Sequence, residues 1–120
     1  MNIFDRRMED YILQENKNIT FEARSIFLQG MLLDFDLFVK YLGDGEEIRR
    51  FKRWLDSKNL DPLEACISYA KFSKAQKIII GFGNIQELQT FSDIFQTIDN
   101  YHPPVFCTDE RILNPLNWSN

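Results

Sequence analysis

Apolar and polar positions follow two rhythms along the chain, and the changes between them mark its elements. Asp5 stands as a cap before Met8, Tyr11, Ile12 and Glu15 at helical spacing, which predicts a short helix to about Asn16. Asn16-Lys17-Asn18 reads as a turn. Ile19 to Arg24 (ITFEAR) then alternates with period two, a strand signal. Ser25 to Leu33 (SIFLQGMLL) is apolar but interrupted by Gly30, and is expected as a structured loop after that strand.

Helical spacing dominates the middle. Asp34 to Leu42 is one short helix, stopped by Gly43. Glu46 to Lys58 places Ile48, Phe51, Trp54 and Leu55 on one face and Arg49, Arg50, Lys52 and Arg53 on the other. Asp61-Pro62-Leu63-Glu64 is the sharpest helix start, with a capping aspartate, a proline suited to the first turn and a glutamate placed to close a capping box. Leu63, Cys66, Ile67 and Ala70 form the expected buried stripe of that helix. Lys77 to Ile80 is a continuous β-branched run, which predicts a strand covered on both faces. After Gly81-Phe82-Gly83, Asn84 and Glu87 open another helix, carried to about Asp99 by Ile85, Leu88, Phe91, Phe95 and Ile98. The tail turns at Pro103-Pro104 and holds a last helical stretch near Asp109 to Leu113.

Strands separated by helices imply parallel βα units, because a parallel connection needs a crossover. Two strands are visible, and Asn2-Ile3-Phe4 would be the stub of a third. That is few for an open sheet with both faces covered, so the pattern reads as part of a larger α/β fold. The 120 residues suffice for a single domain, 1–120, and not for two.

Composition narrows the function classes. Lys and Arg number 14 against 18 Asp and Glu, for a formal net charge of −4, so the electrostatic footprint of a nucleic-acid binder is missing. No apolar run approaches the roughly 20 residues of a membrane span. MNIFDRRMED carries charges where a signal peptide has its apolar stretch, so a soluble cytoplasmic protein is expected. Two cysteines, Cys66 and Cys107, make neither a disulfide framework nor a metal site. Phe is the unusual component, with 11 residues against 4 Tyr and 2 Trp, and so many large rings require burial.

Three segments carry a family resemblance: Asn2 to Arg7 (NIFDRR), Ala23 to Gly30 (ARSIFLQG) and Asp109 to Trp118 (DERILNPLNW). Together, in this order, they resemble the C-terminal part of the aldo/keto reductase family, (β/α)8 barrels of TIM type that carry out NAD(P)H-dependent oxidoreduction. The resemblance implies an α/β chain that is a partial barrel, about its last three βα units. It also implies that the family's catalytic tetrad of Tyr, Lys, His and Asp belongs to the first half of the barrel, so a truncated, inactive chain is expected. Tyr11, Tyr41, Tyr69 and Tyr101 match no catalytic motif, and the lone His102 stands beside Pro103 in the tail. No catalytic residue is therefore assigned.

By the same resemblance, Ser25 with the backbone of Ile26, Phe27 and Leu28 would pass over the pyrophosphate of NADP or NAD. Gly81, Phe82, Gly83, Asn84 and Ile85 would meet the adenosine end, where a helix N-terminus offers exposed N–H groups. The chain departs from the pattern here, because Gly81 to Phe91 contains no Lys or Arg and does contain Glu87. Thr90 and Phe91 stand roughly where an acidic and amide pair usually meets the adenine.

Other features have plainer readings. Gly81-Phe82-Gly83 begins like a dinucleotide fingerprint, but Gln86 holds the third glycine position, and a strand-to-helix turn fits better. Arg24 and Ser25 end a strand, where barrel active sites form; Arg24 is equally readable as an ion-pair partner. Arg49, Arg50, Lys52 and Arg53 read as a solvated helix face, and Cys66 as an inert core thiol. A partial barrel leaves strand edges open and inward side chains wet. The expectation is therefore a homo-oligomer, or a chain docked on an upstream polypeptide that completes the barrel. A non-catalytic oligomeric scaffold is the alternative function.

Overall fold

The computed structural model describes residues 1–9 and 20–118. Its fold is mixed α/β and mostly helical, with two short parallel strands, β1 (Glu22–Ala23) and β2 (Lys77–Ile78). The helices are α1 (Phe35–Leu42), α2 (Glu46–Lys58), α3 (Pro62–Phe72), α4 (Ile85–Thr97) and α5 (Glu110–Leu113), followed by a 3-10 turn at Pro115–Asn117. No helix among the described residues is long and apolar enough to cross a membrane. The helix expected from Asp5 to Asn16, and the turn after it, lie largely outside the described residues.

Helix boundaries follow local chemistry. The Asp34 carboxylate accepts the Leu37 N–H at 3.0 Å and starts α1, and Gly43, at φ +87°, ends it. Asp61 and Glu64 form the reciprocal capping box of α3, with backbone N–H contacts of 2.8 and 2.9 Å. Asn59 closes α2 in the left-handed conformation.

The core is aromatic. Phe4 is fully buried, and its ring centroid lies 5.7 Å from Phe38 of α1, 5.4 Å from Phe51 of α2 and 5.8 Å from Phe106 of the tail. Phe51 and Phe106 meet edge to face at 5.2 Å, and Trp54 packs on Phe106 from outside. Ile48, Leu55, Ala65, Cys66 and Tyr69 complete this cluster from α2 and α3. A smaller cluster of Ala23, Ile26 and Ala70 lies under the strand pair, with Ile78, Ile80 and Phe91 against it.

Strand β1 pairs with β2 in register, Glu22 opposite Lys77 and Ala23 opposite Ile78. The Ile79 N–H donates to the Ala23 carbonyl at 2.9 Å, just beyond the assigned strand. Pairing stops there because Ser25 takes φ +54° and turns the chain away. Loop 25–33 then winds through successive turns, from the Leu28 N–H to the Ser25 carbonyl (3.0 Å) through the Leu33 N–H to the Gly30 carbonyl (3.0 Å).

Three expectations are corrected. The strands expected over Ile19–Arg24 and Lys77–Ile80 shrink, among the described residues, to two paired residues each. The run Lys77–Ile80 is not covered on both faces: Ile78 and Ile80 pack on the small cluster, while Ile79 is 45% exposed. Asn2-Ile3-Phe4 forms no strand, because Asn2 Oδ1 accepts the N–H groups of both Phe4 and Asp5 at 2.9 Å and bends the segment. That bend still lies against the chain just after β1, with Asn2 Nδ2 donating to the Ser25 carbonyl at 3.2 Å.

Helix α4 lies at the surface, with Phe91 set against the small cluster. It has no buried residue; Ile85 is 74% and Leu88 47% exposed. Its end is tied to α3 by polar contacts, Lys71 Nζ donating to the Ile98 carbonyl at 2.6 Å and the Tyr101 N–H donating to Ser68 Oγ at 2.9 Å.

The unequal packing gives a direct expectation. Phe51→Ala should cost about 3–5 kcal/mol through its cavity, whereas Leu88→Ala should stay within about 0.5 kcal/mol. Urea unfolding midpoints compared at a common slope read the difference.

Candidate functional site

The C-terminal ends of the two strands feed the two loops that matter most. Ser25, Ile26, Phe27, Gln29 and Gly30 from the first face Ile79, Ile80 and Gly81 from the second across a hollow of about 230 Å³. A second hollow of about 460 Å³ adjoins it, sharing Phe27 and Gly81, and is walled by Phe82 and Phe91 with Asn84 and Glu87 at the start of α4. Together they have the size and partly apolar lining of a small-molecule cleft.

Local chemistry fixes the second loop. The Asn84 side chain accepts the Glu87 N–H at 2.9 Å, and the Glu87 carboxylate folds back to accept the Gly83 N–H at 2.6 Å. A Cβ at Gly83 would come within 3.2 Å of that carboxylate, so glycine keeps the contact unstrained. Gly81 has nothing within 4 Å of where a Cβ would stand, which leaves its backbone open to a ligand.

Of the residues assigned from sequence, Ser25, Ile26, Phe27, Gly81, Phe82 and Asn84 are thus brought to the two hollows. Leu28 points into the aromatic core, Gly83 serves the Glu87 contact, and Ile85 projects from α4 outside both hollows. Arg24 is a surface group, its side chain 71% exposed and 3.4 Å from Glu22. Arg49 pairs with Asp44, and Arg50 and Arg53 with Glu46, as a solvated face does. A separate hollow of about 500 Å³ lies between the Gly43–Gly45 turn and Trp118. Its one arginine, Arg111, already pairs with Asp109.

Spatial proximity also assembles a cluster that sequence spacing concealed. Glu9 is buried, and its carboxylate is reached by Arg6 Nη2 at 2.7 Å, by the Tyr69 hydroxyl at 2.8 Å and by His102 Nε2 at 3.1 Å. Arg6 also donates to the Pro103 carbonyl, and its guanidinium lies over the Tyr69 ring. His102 stacks on Phe72 with centroids 4.6 Å apart. Burial opposes ionisation of Glu9, but the hydrogen bonds from Arg6, Tyr69 and His102 outweigh it and hold its pKa down at about 2. The Tyr69 hydroxyl is pushed up, first by burial and then by donating to Glu9. Such a tyrosine is a poor proton donor, and the cluster clamps the N-terminal segment to α3 and the tail. The nearest sequence signal was the lone histidine, which sits 93 residues from Glu9.

The two cysteines are free and buried, and burial pushes both thiols up, Cys107 to about 11. Neither is a poised nucleophile. Among the described residues no group of three or more His, Cys, Asp and Glu is arranged to hold a metal ion.

The Glu9 clamp predicts a pH dependence with a definite sign. Its carboxyl is depressed on folding from an ordinary 4.5 to about 2, so its stabilisation is complete above the unfolded value and is lost as pH falls from about 4.5 towards 2. Urea unfolding across that window should show stability falling with acid, and Glu9→Gln should flatten this part of the profile.

No protein-family model, curated protein or solved structure matches the chain.

Proposed function

We propose that the chain is the C-terminal part of an aldo/keto reductase-like (β/α)8 barrel, and that its two adjoining hollows are the dinucleotide-facing half of an NAD(P)H site. One observation carries this reading: the loops at the C-terminal ends of two parallel, adjacent strands, separated in sequence by about fifty residues, converge on one cleft. Barrel enzymes build their sites at that end of their strands. The bend at Asn2 to Phe4 lies against the chain just after β1, where Asn2 Nδ2 donates to the Ser25 carbonyl, which is compatible with a neighbouring barrel unit.

The walls suit such a ligand. Gly81 presents open backbone, Phe27, Phe82 and Phe91 offer apolar ring faces for a flat base, and Ser25 stands at the turn where a pyrophosphate would cross. A bound nicotinamide would supply the hydride; this chain's residues would hold and orient the nucleotide. Among the described residues lining the hollows none is placed to donate the proton that carbonyl reduction requires, so hydride transfer would need an upstream polypeptide that completes the barrel. The substrate in that case is an aldehyde, ketone or sugar carbonyl.

A second reading, a non-catalytic oligomeric scaffold, is favoured by the outer edge of β2, unpaired among the described strands, and by the exposed Ile85 and Leu88 of α4. Under either reading the chain is not a solitary monomer.

Two measurements test these proposals. Calorimetric titration with NADH and NADPH should show saturable binding that Ser25→Asp abolishes; absence of binding at millimolar nucleotide would contradict the half-site. Sedimentation velocity should show association beyond the monomer, weakened by charged substitutions at Ile85 and Leu88. A cooperative, well-folded monomer at high concentration would contradict the incomplete-barrel account.

A further inference from the structure

We draw no further inference here: the strongest candidate, the hollow between the Gly43–Gly45 turn and Trp118, is an acidic cluster whose Asp44 and Asp109 already pair with Arg49 and Arg111, and nothing in the structure points to a ligand there.

Discussion

Phe4 is the constraint on which the rest of the structure depends. Its ring touches α1, α2 and the tail at once, in arrangements mostly close to edge-to-face. Such pairs add about 0.5–1.5 kcal/mol each beyond the burial of their area, and together they join the N-terminal segment, the α1–α2 pair and the tail. The abundance of phenylalanine is thereby explained as architecture. Asn2 sets the ring's direction by bending the backbone through its side-chain carbonyl, and the Arg6–Glu9–Tyr69–His102 clamp closes the same segment onto α3 and the tail. Aromatic packing and a buried, fully hydrogen-bonded carboxylate thus act on one short stretch.

Stability concentrated at that end leaves the other end lightly held. The strand pair is only two residues long, and the cluster beneath it is small. Helix α4 packs Phe91 on that small cluster and meets α3 through polar contacts near its C-terminal end, while its first turn stands in solvent. The two facing loops occupy this weaker half. Segments with few buried apolar contacts open at lower free energy than the core they adjoin.

Much of this was legible in sequence where local chemistry decides. Asp34, Asp61 with Glu64, Asn84 and Gly43 fixed helix ends, because capping depends on neighbours within a few residues. The convergence of Ser25 to Phe27 with Gly81 and Phe82 is a matter of how the two strands pair and turn, not of local spacing. What escaped was non-local. The β-branched run at Lys77–Ile80 reads as a buried strand, but its length of pairing depends on where β1 turns away at Ser25, 52 residues earlier than Lys77. Apolar positions recur along α4, but periodicity cannot say which of them meet an opposing surface, and Phe91 does while Ile85 and Leu88 do not. Glu9 gives no signal at all until Tyr69 and His102 are brought to it.

Native-state hydrogen exchange tests most directly the claim that the aromatic core holds the chain and leaves the strand pair incomplete. The account predicts the slowest exchange in α2 and α3, around Phe51 and Tyr69, with β2 and the first turns of α4 opening at far lower free energy. Protection of β2 and α4 equal to that of α2 would contradict it.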